Sequence, residues 1–403
     1  MRDTVLDPAT QARRRAAETA DAATHRAGDL IHLNTAGAGL MPDAVRRAMT
    51  EHIELEAALG CYEAEELRGE VLREEVYRRL ARVLEAPEQD IALFDSATRA
   101  WCAVVLRLPL RPGDRVWTTP YEYAGNLVSL LSLRARTGCR IEVVPTRPDG
   151  DLDLEWMARH ISDSVALVSV PHVPTGCGIV NPVEEIGRLL APYRCVYAVD
   201  ACQSVGQLPV SVARIGCHVL TGAGRKFLRG PRGTGFAYVA RRVRESLVPE
   251  FHDLHVARVD SPSSYRVEDD TARSLELAER NLAAVAGLDA ALEVFETGTP
   301  FAHREVFDAL CAAVAQTPGV EVIRPGTTHS GIVTFRHADV PPEVVVRRLA
   351  AERINVWRIL GHHTPLYMAE RGVETAVRAS AHYYNTPDEI AVFGRALRSA
   401  VAP

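Results

Sequence analysis

One lysine, Lys226, lies in a glycine-rich segment, TGAGRKFLRGPRGTGF, that spans residues 221 to 236. Two other polar residues end apolar runs earlier in the chain: Asp200 closes CVYAVD, and His172 closes VALVSVPH. A carboxylate at the end of a buried strand is costly unless a cation accompanies it. An amine, a carboxylate and an imidazole gathered by strand ends would support nucleophilic and acid–base chemistry.

Each of these residues also has a purely structural interpretation. Aspartate is a preferred helix N-cap, a histidine at a strand end is often satisfied within the core, and a single lysine most often lies on the surface. Taken together, Lys226, Asp200 and His172 fit catalysis by pyridoxal phosphate. A lysine forms an imine with the aldehyde of this cofactor, and an aspartate keeps its pyridinium nitrogen protonated as an electron sink.

The same cofactor needs a site for its phosphate and an aromatic side chain over its ring. Backbone N–H groups at the start of a helix bind phosphate. The segment DSATRAW opens a helix directly after the apolar run IALF, with Ser96, Ala97 and Thr98 at its start. The segment YEYAGN supplies aromatic residues. These segments therefore predict a pyridoxal phosphate site.

Strands and helices alternate from about residue 90 to 240. Runs such as VALVSV and CVYAVDA are continuously apolar, and amphipathic patterns such as NPVEEIGRLLAPY separate them. This alternation predicts an α/β fold with a mostly parallel sheet, helices on both faces, and ligands at the carboxyl ends of the strands. After about residue 270 a long helix, ARSLELAERNLAAVAGLDAALEVFE, precedes an α+β pattern.

This pattern of predicted helices and strands divides the chain into three parts. We predict an N-terminal helical segment at 1–30 that packs with a small domain, a large cofactor-binding domain at 31–270, and a small α+β domain at 271–403. The polar segment HDLHVARVDSPSSYRVEDDTARS is either a plain surface loop or a cover for the active site, within one chain or across a dimer.

The charge, the apolar runs and the cysteine spacing of the sequence argue against several classes of function. The 403 residues carry a net charge of −6 without a concentrated basic stretch, which argues against nucleic-acid binding. No apolar run reaches the length of about 18 residues that a membrane span needs, and the N-terminus lacks the features of a signal or transit peptide, so we expect a cytoplasmic protein. The eight cysteines show neither a C-x-x-C pair nor ligand spacing, which predicts reduced thiols and no metal.

Four segments resemble the class V aminotransferase family of fold-type I pyridoxal phosphate enzymes. PHVPTGCGIVNPV, VDACQSVGQLPV, GRKFLRGPRGTGF and VRASAHYYNTPDEI follow that family in order and spacing, and the resemblance runs from about residue 31 to 390. The family includes cysteine desulfurases, isopenicillin N epimerase and kynureninase-like proteins. The resemblance implies a fold-type I architecture, pyridoxal 5'-phosphate as cofactor, a small amino-acid substrate and a homodimer.

The resemblance also implies roles at the cofactor. Lys226 would be the Schiff-base lysine and Asp200 the partner of the pyridinium nitrogen. Gln203 would donate to the phenolic oxygen of the cofactor, with His172 on the same side. Tyr123 stands where many members of the family have a ring-stacking histidine.

Further roles fall on the substrate side and around the imine. Arg378 corresponds to the arginine that binds the substrate α-carboxylate bidentately, and Asn34 lies in the substrate-binding N-terminal segment. Arg225 replaces a histidine that is common in desulfurases and would serve as a phosphate ligand, while Thr221 would substitute for a missing serine hydroxyl. Thr175 stands where desulfurases often have asparagine.

The reaction itself is less constrained by these residues. Desulfurases carry a cysteine in the loop that corresponds to RILGHHTPLYMAERGVETAVRAS, and this chain has no cysteine after Cys311. The surroundings of Lys226 look closer to the branch of isopenicillin N epimerase-like proteins and of C–S lyases in ergothioneine-type and lincosamide-type sulfur metabolism. This favours a C–S β-lyase of secondary metabolism that cleaves a cysteine S-conjugate or sulfoxide to a thiol, pyruvate and ammonia.

Other reactions share the same groups. Decarboxylation-coupled deamination, transamination or epimerisation of a similar amino acid is the first alternative, because pocket geometry decides which bond breaks. A cysteine desulfurase and a non-catalytic pyridoxal phosphate-binding protein come after it.

Overall fold

The computed structural model describes residues 30–248, 252–298, 301 and 304–402, so nearly all of the predicted helical segment at 1–30 lies outside the described residues. The strands are β1 (Ile31–His32), β2 (Ile91–Phe94), β3 (Arg115–Thr118), β4 (Arg140–Val143), β5 (Val165–Pro171), β6 (Val196–Asp200), β7 (Val219–Ala223), β8 (Gly235–Val239), β9 (Ala257–Ser261), β10 (Ser264–Val267), β11 (Val320–Val322), β12 (Ile332–His337), β13 (Ile354–Asn355), β14 (Trp357–Leu360) and β15 (Thr375–Ser380).

The α-helices of the described residues are Asp43–Leu59, Cys61–Leu67, Val76–Leu84, Ala97–Val105, Ala124–Thr137, Leu154–His160, Val183–Leu190, Val212–Ile215, Arg241–Arg244, Leu282–Thr297, Arg304–Ala315, Pro342–Ala351, Pro365–Glu370 and Pro387–Val401. A π-helical turn, Val71–Glu75, and the 3-10 turns Glu88–Asp90, Ala272–Leu275 and Gly361–His363 complete them.

The large sheet has seven strands in the order β2-β8-β7-β6-β5-β3-β4. Strand β8 runs antiparallel to both of its neighbours, and the remaining pairs are parallel. The predicted mostly parallel sheet between about residues 90 and 240 is therefore confirmed.

Successive residues of the central strands face opposite sides of this sheet, and both sides are buried. One side packs against the helices Val76–Leu84, Leu154–His160, Val183–Leu190 and Leu282–Thr297 through Val168, Val199 and Leu220. The other side packs against Ala97–Val105 and Ala124–Thr137 through Leu167, Ala198 and Val219. Because both faces are apolar, the chemistry is confined to the ends of the strands.

The small sheet is antiparallel, in the order β11-β12-β15-β14. Its apolar face carries Val333, Phe335 and Val377, which pack with the helices Arg304–Ala315, Pro342–Ala351 and Pro387–Val401. Ile31 and Leu33 join the same core, because β1 pairs with β13. The first described residues thus belong with the C-terminal sheet.

The long helix predicted over residues 272–296 begins only at Leu282, where Asn281 accepts a hydrogen bond from the N–H of Ala284. The buried carboxylate of Glu276 accepts hydrogen bonds from the hydroxyl of Tyr77 at 2.8 Å and from the N–H of Leu93 at 2.7 Å. Arg280 pairs with it at 2.7 Å. These long-range bonds hold residues 276–281 outside the helix, which a local hydrophobic pattern cannot reveal.

The helix Leu282–Thr297 packs in the core of the large sheet through Val285, Leu288 and Leu292. This packing favours grouping it with the large sheet, although the sequence pattern placed it at the start of the domain at 271–403. The domain boundaries themselves stay a prediction. None of the helices in the described ranges combines the length and the apolar character needed to cross a membrane.

Candidate cofactor and active site

The carboxyl ends of β5, β6 and β7 lie side by side. Pro171 pairs with Asp200, and Asp200 pairs with Thr221. The N–H of His172 donates to the carbonyl of Asp200 at 2.9 Å. Lys226 follows β7 by three residues and reaches the same edge of the sheet. The strand ends therefore gather the residues that the sequence analysis singled out.

A cavity of about 280 Å³ opens at this edge. It is lined by ten of the predicted site residues: Ser96, Ala97, Thr98, Tyr123, Thr175, Asp200, Gln203, Thr221, Arg225 and Lys226. The predicted residues Asn34, His172 and Arg378 are not among the residues that line it. None of residues 252–274, which include the hairpin of β9 and β10, is among its lining residues, and whether this segment covers the site stays a prediction.

The side chain of Asp200 is held by two hydrogen bonds at the edge of the cavity. Its Oδ1 accepts the N–H of Cys202 at 2.9 Å, and its Oδ2 accepts Nδ2 of Asn126 at 2.9 Å. The segment after Asp200 forms turns, and the next helix starts at Val212 with Ser211 as its cap. Asp200 is therefore not a helix cap, and its role at the cofactor stays a prediction.

Lys226 lies among groups that favour its neutral form. Burial lowers the pKa of its amine, and the charges of Arg225 and Arg378 add to this, while Cys202 and Asp200 act in the opposite direction. Lys226 itself is half-buried. A lysine whose pKa is lowered is a better nucleophile toward a carbonyl carbon, because more of it carries a free electron pair.

The start of the helix Ala97–Val105 forms one wall of the cavity. Ser96 caps this helix by accepting the N–H of Arg99 at 3.2 Å. Gly235 of β8 packs directly behind, where a Cβ atom would lie only 2.3 Å from the carbonyl carbon of Ser96 and 2.5 Å from the nitrogen of Ala97. The sheet can approach this turn because residue 235 has no side chain, and the turn presents N–H groups suited to a phosphate.

Two guanidinium groups lie at the same cavity. Arg225 and Arg232 both line it. Burial lowers the pKa of Arg225, and the positive charge of Arg232 lowers it further. Two cations that repel each other at one site are stabilised by an anion between them, so this arrangement fits the phosphate of pyridoxal phosphate.

Arg378 lies next to the cavity, behind Thr175. Its Nη1 donates to the hydroxyl of Thr175 at 2.5 Å, and its Nη2 lies 3.5 Å from Oδ1 of Asn34. It is 5 % exposed, and burial lowers its pKa to about 10, with Arg225 adding to the effect. No ion pair among the described residues compensates Arg378. A buried cation without an anion is costly, which points to an anionic ligand.

Three buried polar atoms around the cavity lack a hydrogen-bond partner within the described residues: Nδ1 of His172, Oε1 of Gln203 and Nε of Arg378. Buried polar atoms are nearly always paired in folded proteins, so unpaired ones around a cavity indicate a bound molecule. Together with the helix start and the two guanidinium groups, they show that the residues present fit pyridoxal phosphate and an amino acid.

Gln203 already has partners for its amide nitrogen. Nε2 donates to the carbonyl of Ala36 at 3.0 Å and to the hydroxyl of Thr175 at 2.9 Å. A donation from Gln203 to the cofactor, which the resemblance implies, would have to replace the bond to Thr175. The role of Gln203 stays a prediction.

His172 and Tyr123 differ in their access to the cavity. His172 is buried, and burial lowers its pKa to about 4, so its imidazole is neutral. It does not line the cavity, and its predicted catalytic role stays a prediction. Tyr123 is 38 % exposed, lines the cavity, and precedes the helix Ala124–Thr137.

Two residues that the sequence analysis did not single out, Glu122 and Asn126, lie in the segment YEYAGN. Asn126 lines the cavity, and it also donates to the buried carboxylate of Glu122 at 3.0 Å. Glu122 lies before the helix Ala124–Thr137 and Asn126 lies within it, so no periodic pattern in the sequence pairs the two side chains.

Among the eight cysteines, Cys202 is the one that lines the cavity. Burial raises its pKa well above the usual thiol value, and the negative charge of Asp200 adds to this. Cys177 is fully buried and does not line the cavity. No cysteine lies between Gly361 and Arg378, a segment that is described in full.

Comparison with known proteins identifies curated relatives that are named cysteine desulfurase or probable cysteine desulfurase. A "Probable cysteine desulfurase" of Methanothermobacter thermautotrophicus is 29% identical over 380 residues, which cover 92% of this chain and 94% of the relative. The fold matches the apo structure of a cysteine desulfurase from Thermococcus onnurineus NA1 with a TM-score of 0.87 and 24% identity, over 96% of this chain and 98% of that one. It also matches the cysteine desulfurase CsdA from Escherichia coli with a TM-score of 0.84 and 23% identity, over 99% of both chains.

These relatives correct the predicted reaction. The prediction of a C–S β-lyase of secondary metabolism is wrong, because the curated relatives are named cysteine desulfurases or probable cysteine desulfurases. The narrower resemblance to the epimerase and ergothioneine-type branch is likewise not supported. The features behind it, Arg225 before the lysine and a loop without cysteine, are side-chain replacements on an unchanged fold. They do not determine which bond is cleaved.

The broader predictions are confirmed. The α/β fold-type I architecture agrees with the structural matches, and the chain is an enzyme that uses pyridoxal 5'-phosphate. The sequence model of the family described as "Aminotransferase class-V" matches residues 31–393, nearly the whole chain. The chain therefore belongs to the class V aminotransferase family.

Proposed function

We propose that the protein is a cysteine desulfurase, which converts L-cysteine to L-alanine and passes the sulfur to an acceptor thiol. The choice of cysteine rests on the name shared by the relatives. The observation that carries an amino-acid substrate is Arg378, a buried cation beside the cavity without an anion among the described residues.

Pyridoxal phosphate, when bound, supplies an aldehyde that reacts with amines and a ring that accepts electrons. The helix start at Ser96, Ala97 and Thr98 would hold its phosphate, with Arg225 and Arg232 compensating the charge. Asp200 would hold the proton of the ring nitrogen. These residues all line one cavity, which supports a common role.

The remaining residues act on the substrate. Arg378 would bind the α-carboxylate, and Thr175 keeps its guanidinium in place through the bond of 2.5 Å. Lys226 would take the proton from Cα once its amine is free, because burial lowers the pKa of this amine and so favours its neutral, basic form. Burial of Arg378 strengthens its attraction for a carboxylate by removing water.

Release of sulfur from cysteine with alanine as product requires a thiol acceptor. The acceptor sulfur forms an S–S bond with the substrate sulfur, the Cβ–S bond breaks with its electron pair staying on carbon, and Cβ takes up a proton. The acceptor leaves as a persulfide. We propose that this acceptor comes from outside the chain. Cys202, the cysteine at the cavity, has a raised pKa and lies at Asp200, whereas the substrate carboxylate is expected at Arg378.

The dependence of alanine formation on added thiol tests this proposal. With L-cysteine and increasing dithiothreitol, alanine and sulfide should form in equal amounts at a rate that rises with dithiothreitol and then saturates. The Cys202→Ser variant should behave in the same way. A full equivalent of alanine formed without added thiol, with a persulfide on Cys202 detected by mass spectrometry, would show that the acceptor lies within the chain. Absence of alanine under all conditions would contradict the desulfurase function itself.

The expected homodimer and the expected cytoplasmic location also remain proposals. Both rest on the family resemblance and on the composition. Size-exclusion chromatography with light scattering at micromolar concentration would test the first.

A further inference from the structure

Glu122 is a buried carboxylate that the proposed reaction does not use. It is 0 % exposed. Its Oε2 accepts hydrogen bonds from the hydroxyl of Thr118 at 3.0 Å and from that of Ser169 at 2.6 Å. Its Oε1 accepts hydrogen bonds from the N–H of Tyr123 and from Nδ2 of Asn126, each at 3.0 Å. No lysine or arginine of the described residues pairs with it. A carboxylate buried in this way needs a reason beyond packing.

Asn126 connects this carboxylate to the cofactor site. The same Nδ2 atom that donates to Glu122 at 3.0 Å donates to Oδ2 of Asp200 at 2.9 Å. An amide nitrogen carries two hydrogens, so each carboxylate receives one. Asp200 and Asn126 both line the cavity, while Glu122 lies behind them.

The orientation of the Asn126 amide is fixed by these neighbours. Turning it over would point its oxygen at two carboxylate oxygens, which are acceptors, so the nitrogen must face Glu122 and Asp200. A proton on Glu122 does not change this. Burial raises the pKa of its carboxyl, with Ser169 opposing and Asp200 adding to the rise. A proton would lie on Oε2, where the hydroxyls of Thr118 and Ser169 can rotate to accept it, and Oε1 would still accept from Asn126.

The carboxylate of Asp200 accepts two hydrogen bonds from the protein. Oδ1 is occupied by the N–H of Cys202, and Oδ2 by Asn126. Both hydrogen-bond donors are groups of the protein, and together they fix the plane of the carboxylate. The remaining lone pairs of the carboxylate therefore face the cavity. Loss of Asn126 would free one of the two oxygens and let the carboxylate rotate.

We propose that Glu122 and Asn126 are positioning residues for the cofactor: Glu122 fixes the Asn126 amide, and Asn126 fixes Asp200 toward the ring nitrogen. This role concerns the cofactor end of the cavity and is independent of which amino acid is the substrate. It predicts that the protonation of the ring nitrogen, rather than the affinity for substrate, depends on Asn126.

The test uses holoenzyme loaded with pyridoxal phosphate labelled with ¹⁵N in the ring. In Asn126→Ala the ring-nitrogen chemical shift should move toward the unprotonated value, and kcat should fall about tenfold with KM within twofold. In Asp200→Ala the shift should already be unprotonated, and adding Asn126→Ala should change it no further. Such non-additivity is expected for residues that belong to one hydrogen-bond network.

Glu122 is tested by a pair of variants. Glu122→Ala should reproduce the Asn126→Ala shift, whereas Glu122→Gln, whose Oε1 still accepts from Asn126, should restore the protonated shift and bring kcat within threefold of the unmodified protein. Asn385→Ala is the matched control, because Asn385 is also buried and donates to Glu389 at 3.1 Å in the small domain. It should lower thermal stability without moving the ring-nitrogen shift.

An unchanged ring-nitrogen shift in Asn126→Ala would overturn the proposal. So would a shift of equal size on adding Asn126→Ala to Asp200→Ala, because the asparagine would then act independently of Asp200. Neither readout requires turnover, so their failure is distinct from failure of the desulfurase function.

Discussion

Arg378 donates a hydrogen bond of 2.5 Å to the hydroxyl of Thr175, the residue through which it borders the cavity. Thr175 also accepts Nε2 of Gln203 at 2.9 Å. One hydroxyl therefore links the guanidinium expected to bind the substrate carboxylate with a residue that lines the cofactor cavity. The substrate end and the cofactor end of the site are thus held together by direct bonds.

Removal of the Arg378 guanidinium should damage substrate binding. We expect Arg378→Ala to lower kcat/KM for L-cysteine about 100-fold, because a charge-assisted hydrogen-bonded pair with a carboxylate contributes about 3 kcal/mol. Cofactor absorbance should persist. The matched control is Arg336→Ala on the neighbouring strand β12, where the arginine is partly exposed and pairs with Glu321. Equal losses in both variants would contradict the assignment of Arg378.

The close approach of β8 to the phosphate turn should make Gly235 intolerant of any side chain. A Cβ atom there would lie 2.3 Å from the carbonyl carbon of Ser96, so Gly235→Ala must displace the start of the helix Ala97–Val105. We expect the dissociation constant of pyridoxal phosphate, measured by fluorescence titration, to rise at least about tenfold, or about 1.4 kcal/mol. Gly394→Ala, where the nearest atom is Cβ of Ala313 at 3.2 Å, is the control. Unchanged cofactor affinity in Gly235→Ala would rule out this turn as the phosphate site.

The cysteines near the cofactor should be dispensable. We expect Cys202→Ser and Cys177→Ser each to keep at least about a third of the rate of sulfide release, because burial raises the pKa of both thiols and buried thiols are poor nucleophiles. The measurement is sulfide release from L-cysteine with saturating dithiothreitol. A loss of more than about 100-fold in Cys202→Ser, with the protein folded, would make that thiol part of the reaction.

His172 should make the protein less stable in mild acid. Its pKa is about 4 in the folded protein, against 6.5 in an exposed histidine. Above pH 6.5 both states are neutral. As the pH falls toward 4, the unfolded chain binds a proton that the folded protein does not, so the free energy of unfolding decreases. At pH 5 this loss is about 2 kcal/mol for one group.

The comparison of His172→Gln with the unmodified protein isolates this contribution. Urea unfolding at pH 7.5 and pH 5 should show that the unmodified protein loses about 2 kcal/mol more than the variant between the two values. Other titrating groups contribute equally to both proteins. A parallel decline in both would mean that His172 is protonated in the folded state.

The sequence could predict the residues at the strand ends because that prediction needs only local information. A continuous apolar run that stops at Asp200, and a helix that Ser96 caps, fix both residues at the same edge of a mostly parallel sheet. The break before Leu282 could not be predicted, because it depends on the contact of Glu276 with Tyr77, which lies 199 residues away. The bridge from Glu122 through Asn126 to Asp200 was missed for the same reason: it joins two strand ends that only the fold brings together.

The reaction was predicted wrongly because it depends on features that side-chain types do not encode. Arg225 before Lys226 and the absence of cysteine from 361–378 favour a lyase when only the sequence is considered. Both are compatible with the same cavity, and the bond that breaks depends on how a substrate lies in it. The fold and the cofactor were therefore predictable, and the reaction was not.

The carbon product of L-cysteine tests the central claim most directly. The protein is incubated with L-cysteine labelled with ¹³C at Cβ and with dithiothreitol, and the methyl carbon of the product is followed by NMR, with Lys226→Ala as the inactive control. The account predicts the methyl signal of alanine, in an amount equal to the sulfide released, and none in Lys226→Ala. A methyl signal of pyruvate in place of alanine would contradict it.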